Sequence, residues 1–327
     1  MSGLRDKRLL FLTGKGGVGK STVAIALGIA AARRGLRTVV AELTGQDRAA
    51  VAFGHADGSS GARELRLARN LHTISIEPQH ALEEYLQQKA GPLGDVLAHS
   101  RTFHGFVSAT PGMRELLALG KAWELSQAPR RTKGAEPYDL VIVDAPATGH
   151  GLATLRTPRT FAEIAKVGPI ASQGRTLDAS FTDPRFAAVI AVALAEEMPV
   201  NETLALRRSL RDDCGIELSH TIVNALVPDR LGPRQAAGVA RAIEAGGGVS
   251  DGSSARASTA SSPLSPLVRA ALESARSEHV RARAQRAQVQ RLADGLGSDP
   301  FELPYLFTPS VDRAGLELLA DRLEELL

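Results

Sequence analysis

The stretch Gly14-Lys15-Gly16-Gly17-Val18-Gly19-Lys20-Ser21-Thr22 decides the fold, because it fits the phosphate-binding pattern G-x-x-x-x-G-K-[ST]. Its flanks agree with that pattern. Residues 8–13 have the apolar run of a short buried strand, and residues 22–34 have the Ala, Leu and Ile content of a helix that closes at Gly35. A glycine-rich turn between them directs backbone N–H groups and the positive end of the helix dipole at one point. The stretch therefore predicts a site for nucleotide phosphates.

Further apolar runs alternate with helical patterns along the rest of the chain. Strands are predicted at residues 37–42, 71–76, 138–144, 186–195, 218–224 and 303–306. Parallel strands need a crossover connection, and the intervening helices supply it. We therefore expect an α/β fold, a doubly wound and mostly parallel sheet of the P-loop NTPase type with a helical insertion. In such a sheet ligands bind at the carboxyl ends of the strands, where Asp144 and Asn224 also fall.

Length and composition favour one large domain over residues 1–327. The chain has 327 residues, and 43% of them are hydrophobic, which is ample for a single core. A helical insertion is predicted at about residues 78–130, with helices at 78–88, 93–99 and 114–125. Residues 245–266 are rich in Ser and Gly and predict a flexible loop.

An Ala/Arg/Gln-rich helix is predicted after that loop, over residues 267–292. Four arginines fall near one of its faces: Arg269, Arg276, Arg283 and Arg291. They form either a solvated face or a docking stripe for an acidic partner. The final helix has a packing seam of leucines at positions 316, 319, 323 and 326, and its polar face is acidic, unlike that of a membrane-targeting helix.

Composition also excludes several classes of protein. Cys214 is the only cysteine, so one chain can form neither an internal disulfide nor a multi-cysteine metal site. The longest apolar run is too short to span a bilayer, and the polar start of the chain lacks a secretory signal. We therefore expect a cytoplasmic protein without an integral membrane segment. A net charge of +3 is only a weak indication of nucleic-acid binding, and none is expected.

Lys15 narrows the class of phosphate loop. The pattern Gly-Lys-Gly-Gly-x-Gly-Lys-[Ser/Thr] resembles the deviant loop of the MinD, ParA, nitrogenase-iron-protein and arsenical-pump ATPases. In those families the early lysine crosses a dimer interface and touches the partner's nucleotide. The resemblance implies a nucleotide-gated homodimer, or a heterodimer with a paralogue. Without it, Lys15 would be a solvated charge on a loop.

The segment Asp144-Ala145-Pro146-Ala147-Thr148-Gly149-His150 sharpens the resemblance. It is similar to switch II of the arsenical-pump and tail-anchored-protein-targeting ATPase family. Residues 195–203 resemble a further family segment that ends in Glu-Thr, and residues 221–224 resemble the Val-Val-Asn-Gln whose Asn reads adenine. Four ordered motifs thus cover residues 8 to 226.

The resemblance implies two ligands, ATP and Mg²⁺, and assigns roles to residues of this chain. Lys15, Lys20 and Asp144 would be catalytic. Ser21 would ligate magnesium and Asp144 would support it. Nucleotide contacts are expected from Gly14, Lys15, Gly16, Gly17, Val18, Gly19, Lys20, Ser21, Thr22 and Asn224.

Three departures from the family affect function. The switch I aspartate that positions the attacking water is replaced by Thr44; Glu42 or Asp47 could substitute, although neither stands at the matching place. The Cys-x-x-Cys of the targeting members and the arsenite-holding cysteines of the pump members are absent. The chain has three methionines in all, too few for a methionine-rich client groove. The client is therefore unknown.

The expected function is a slow ATPase dimer that couples its nucleotide state to a protein partner or client. Two alternatives remain open. Loss of the switch I aspartate favours an ATP-binding scaffold that does not hydrolyse. Mild basicity and the arginine-rich helix favour a ParA-like partition ATPase. The switch II segment and Asn224 are evidence against that alternative.

Overall fold

The computed structural model describes residues 3–43, 45–55, 63–90, 109–132, 134–164, 168–245 and 264–327. In these residues eight strands form one sheet. They are β1 (Leu9–Thr13), β2 (Thr38–Glu42), β3 (Leu65–Ala68), β4 (Leu71–Ser75), β5 (Leu140–Asp144), β6 (Ala187–Leu194), β7 (Leu218–Leu226) and β8 (Phe301–Pro304).

The strand order is β3-β4-β2-β5-β1-β6-β7-β8, and every neighbouring pair is parallel except β3 and β4. The predicted α/β class is therefore confirmed. The sequence did not predict β3, an antiparallel edge strand whose side chains are only half-buried. It joins β4 through a tight turn in which Asn70 takes the left-handed conformation. The last strand starts and ends two residues earlier than predicted.

Ten α-helices flank the sheet in the described residues. They are α1 (Lys20–Arg33), α2 (Arg48–Ala52), α3 (Pro78–Ala90), α4 (Met113–Leu125), α5 (Thr148–Ile164), α6 (Pro169–Thr182), α7 (Glu197–Ser209), α8 (Pro233–Ala245), α9 (Pro266–Leu296) and α10 (Arg313–Leu323).

Alternate residues of the central strands pack on opposite faces of the sheet, as the two-residue period of a strand requires. Leu10 and Leu12 of β1 face a core that includes α1 and α10. Leu9 and Phe11 face the opposite core, which includes α4 and α6. The leucine seam of α10 is confirmed, with Leu316, Leu319 and Leu323 buried and Leu326, just beyond the helix, packed on the same core. Both faces of β1 are therefore covered, which holds the loop that follows it in a fixed position.

The predicted insertion contains α3 and α4, whereas the helix predicted at residues 93–99 lies outside the described residues. The same is true of residues 246–263, which make up most of the predicted flexible loop. Arg276, Arg283 and Arg291 of α9 are exposed and Arg269 is half-buried, so the predicted choice between a solvated face and a docking stripe stays open. Among the described helices, none has an apolar stretch of the length that a bilayer-spanning segment needs.

Candidate functional site

The loop between β1 and α1 depends on glycine at two crowded positions. Gly14 has φ +148°, and a Cβ there would stand 2.1 Å from the carbonyl oxygen of Val192 in the adjacent β6. Gly19 has φ +91°, and a Cβ there would stand 2.3 Å from Nδ2 of Asn224. L-residues rarely adopt either φ. The loop can therefore pack closely against β6 and β7 only because these residues lack side chains.

Helix α1 begins at Lys20, two residues earlier than predicted, because the left-handed Gly19 already starts it. No side chain caps its first N–H groups, and its first turn contains no acidic residue. The positive end of the helix is thus open to an anion. Lys20 bends back so that its Nζ donates to the carbonyl oxygen of Lys15 at 3.0 Å. Burial lowers the pKa of Lys20, although nearby Asp144 raises it.

Ser21 and Asp144 meet at the base of the loop. The Ser21 hydroxyl donates to Oδ2 of Asp144 at 2.5 Å, and Asp144 is only 2% exposed. Burial raises the pKa of Asp144, while the Ser21 hydrogen bond and the charges of Lys20 and Arg48 lower it. No described group donates to the buried Oδ1. A hydroxyl beside a carboxylate with a spare oxygen is the oxygen-rich donor set that suits Mg²⁺.

A cavity of about 320 Å³ opens over these groups. Its walls come from the phosphate loop, from the start of α2 and from the segment after β5. They comprise Gly16, Gly17, Gly19, Lys20, Ser21, Thr22, Gln46, Arg48, Asp144, Ala145, Pro146 and Ala147. Six residues of the sequence-predicted loop thus share one cavity with Asp144, whereas the predicted residues Gly14, Lys15, Val18 and Asn224 do not line it.

Arg48 was missed by the sequence analysis. It is the first residue of α2, and its Nη1 donates to the Ser21 hydroxyl at 3.0 Å. Its backbone N–H donates to Oε2 of Glu42 at 2.9 Å, and the N–H of Ala49 donates to Oε1 at 2.8 Å. The buried Glu42 carboxylate therefore caps α2 with both oxygens. Burial raises the pKa of Glu42, and those two backbone hydrogen bonds oppose the rise.

Asn224 lies on β7 against the outer side of the loop. Its Nδ2 donates to the carbonyl oxygen of Val18 at 3.0 Å, so the side chain supports the loop from the neighbouring strand. The adenine-reading role implied by the resemblance is a separate expectation. The amide keeps an acceptor oxygen that no described group engages through a hydrogen bond.

Lys15 is paired within its own chain. Its Nζ lies 2.9 Å from Oε1 of Glu202 on α7, and the sulfur of the exposed Met198 lies 3.8 Å from the same nitrogen. The segment of residues 195–203, noted for its resemblance, thus ends beside the phosphate loop. Thr44 lies outside the described residues, and only the helical backbone of Thr148 and His150 is described.

Comparison with known proteins agrees with this geometry. The family described as anion-transporting ATPase matches residues 7–171, just over half of the chain. The chain belongs to this ATPase family. The match covers the phosphate loop, the switch I segment and the switch II segment, which the fold brings around one cavity.

Individual relatives extend the likeness beyond residue 171. ATPase BagA of Mycobacterium tuberculosis is 29% identical over 99% of this chain and 94% of its own length. A protein of Halobacterium salinarum, named among the arsenical pump-driving ATPases, is 29% identical over 70% of this chain but only 37% of its own. ATPase GET3 of Kluyveromyces lactis is 26% identical over 67% of this chain and 72% of its own.

Proposed function

We propose that this ATPase is a magnesium-dependent nucleotide switch that works as a dimer and couples ATP binding and slow hydrolysis to the affinity for a protein client. The observation that carries the proposal is the convergence of Lys20, Ser21 and Asp144 on one cavity beneath the open N-terminus of α1. Phosphoryl transfer depends mainly on positioning and on neutralising charge, and these groups provide both.

Each group has a separate task at the phosphates. The N–H groups of the loop and the Lys20 ammonium bind the β- and γ-phosphates, for which Lys20 must leave the Lys15 carbonyl. Ser21 and the free oxygen of Asp144 would hold Mg²⁺, whose charge offsets that of the phosphate oxygens. Asn224 would turn its amide toward adenine, as the resemblance implies.

The dimer interface would lie on the face that carries the phosphate loop, because the half-exposed side chain of Lys15 lies at the rim of that face. Two triphosphates brought face to face repel one another, and one lysine from each protomer offsets that repulsion. Closure therefore requires Lys15 to exchange Glu202 for the partner's nucleotide. The affinity for the client would differ between the open and closed states of the dimer.

The scaffold alternative keeps one specific observation in its favour. Both oxygens of the buried Glu42 carboxylate accept backbone N–H groups at the start of α2, so this carboxylate is engaged in capping the helix rather than in positioning an attacking water. With Thr44 in place of an aspartate, a protein that binds ATP without hydrolysing it would retain the same loop and cavity. Hydrolysis rates of the switch I variants, argued below, separate the two functions.

The test of ATP binding is Lys20→Ala, measured by calorimetry with Mg²⁺ present. Truncating one member of a close charge pair costs about 2–5 kcal/mol, so binding should weaken by more than tenfold. Lys15→Ala is the matched control, since it removes the other lysine of the same loop and should leave ATP bound. Equal ATP affinity in Lys20→Ala and the unmodified protein would refute the phosphate-loop assignment.

A further inference from the structure

Arg48 brings a third cation to the phosphate site, beside Lys15 and Lys20. Although its side chain is exposed overall, its Nη1 reaches inward to the Ser21 hydroxyl, which is 9% exposed as a residue. An arginine that served only to solvate the surface would point away from this hydroxyl. Its contact partner is instead the group expected to hold a divalent cation.

The guanidinium and a divalent cation compete for the same place. The Ser21 hydroxyl gives its proton to Asp144 and accepts from Arg48, so one of its two lone pairs is already used. A divalent ion bound to this oxygen and to Asp144 would lie within a few ångströms of the guanidinium. Two cations at that distance repel strongly where water is scarce. Arg48 must therefore leave Ser21 when the metal ion binds.

The fold lets the side chain move without disturbing its helix. The backbone of Arg48 is held by the Glu42 carboxylate, and this bond does not involve the guanidinium. The side chain also lines the cavity over the loop, together with Gln46 and Lys20. A guanidinium that leaves Ser21 therefore has the phosphate space within reach. Arginine pairs well with phosphate oxygens because its planar donors match their spacing.

We propose that Arg48 stands in for the divalent cation: it occupies the Ser21 position when no metal is bound, supports ATP binding without metal, and is displaced from Ser21 when the metal arrives. This inference deepens the proposed function and rests on it for ATP. It predicts two opposite effects of removing the guanidinium. ATP binding without metal weakens, whereas divalent-cation binding to the nucleotide-free protein becomes tighter.

The variants are Arg48→Gln, Arg48→Lys and the control Arg34→Gln, which removes the same charge from the far end of α1. Calorimetry measures ATP affinity in EDTA and in Mg²⁺, and electron paramagnetic resonance measures Mn²⁺ binding without nucleotide. For Arg48→Gln we expect ATP affinity in EDTA to fall about tenfold, with little loss in Mg²⁺, and Mn²⁺ binding to tighten severalfold. Arg48→Lys should keep most of the EDTA affinity, and Arg34→Gln should match the unmodified protein.

A purely structural role for Arg48 cannot produce effects of opposite sign. Equal losses of ATP affinity in EDTA and Mg²⁺ would show an ordinary phosphate contact and overturn the proposal. Unchanged EDTA affinity together with unchanged Mn²⁺ binding would overturn it too. If the unmodified protein binds ATP in neither buffer, the proposed function itself is refuted. The Mn²⁺ measurement then decides the competition at Ser21 alone, with unchanged Mn²⁺ binding counting against it.

Discussion

At the scale of one residue, Asp144 is a buried carboxylate whose ionised form costs the fold stability. The fold buries a carboxylate with one oxygen bonded to Ser21 and leaves the other without a described donor. Burial raises its pKa in spite of the Ser21 hydrogen bond and of Lys20 and Arg48 nearby. A carboxyl whose pKa is raised on folding destabilises the fold wherever it is ionised. A bound metal ion would relieve that cost.

Asp144→Asn should therefore stabilise the metal-free protein at neutral pH while abolishing Mg²⁺-dependent gains in ATP affinity. The stabilisation should be of the size of an ordinary substitution, on the order of 1 kcal/mol. It should shrink as the pH falls through the raised pKa of Asp144, because the native carboxyl is then protonated and neutral. Thermal melts from pH 8 downward, compared with Asp139→Asn as an exposed control, measure it. Lower stability of Asp144→Asn at pH 8 would contradict the prediction.

Switch I should limit the rate of hydrolysis. A threonine cannot take a proton from water at neutral pH, so turnover should be below about one per second, and Thr44→Asp should raise it. Because Glu42 caps α2 with both oxygens, Glu42→Gln should mainly lower thermal stability. Single-turnover measurements on these two variants and Asp47→Asn test this.

The opposite results for switch I have distinct meanings. Fast turnover that is abolished by Asp47→Asn or by Glu42→Gln would show that this carboxylate positions the attacking water in place of the missing aspartate. Bound ATP without hydrolysis in every variant would favour the scaffold function.

At the scale of elements, a buried cluster and an exposed ion pair connect helices to distant parts of the chain. The fully buried Arg130 side chain, just after α4, pairs with Glu124 at 2.9 Å and with Glu64 beside β3 at 2.7 Å, and Tyr138 donates to Glu64. These bonds attach the insertion to the edge of the sheet farthest from the phosphate loop. The Lys15–Glu202 pair connects the phosphate loop to α7. It is much more exposed and is therefore the contact that can exchange.

Glu202→Gln should ease nucleotide-dependent closure, because Lys15 no longer has to leave a carboxylate. An exposed ion pair contributes at most about 1 kcal/mol, so the ATP concentration needed for closure should fall by no more than about fivefold. Lys15→Ala should bind ATP and fail to close. Distances between labelled protomers report closure, and Glu197→Gln on the same helix is the control. Normal closure of Lys15→Ala would refute the role of Lys15 across the interface.

At the scale of the whole molecule, strand order assembles the site from distant segments. β2 and β1 each pair with β5, so Glu42 and Leu12 both lie opposite Asp144 in the register. The loops that follow β1, β2 and β5 therefore leave the sheet at the carboxyl ends of these strands and surround one cavity, as expected for parallel strands. In the described residues no group of three or more His, Cys, Asp and Glu side chains is arranged to hold a metal ion.

Arsenite should neither bind this protein nor stimulate its ATPase activity. Trivalent arsenic needs three soft thiolates, and a dimer offers two copies of Cys214, which is buried. Burial also raises the pKa of that thiol, so little thiolate is present at neutral pH. Hydrolysis rates with and without arsenite, in the unmodified protein and in Cys214→Ser, check this. Stimulation that disappears in Cys214→Ser would contradict it.

Local patterns in the sequence were enough to predict the phosphate loop, the central strands and the strand-end position of Asp144. Glycines and short apolar runs act within a few residues, so their spacing carries the information. β3 and α5 gave weaker signals: β3 is short and half-buried, and α5 contains Pro158.

The contacts of Arg48 with Ser21, Glu202 with Lys15 and Glu42 with the start of α2 were visible only in the folded chain. The first two join side chains that are distant in sequence and that the fold brings near, whereas the third bridges only the short loop between β2 and α2. A charged residue has the same appearance in a sequence whether it faces water or a partner. Packing of the sheet and helices determines which of these charges meet.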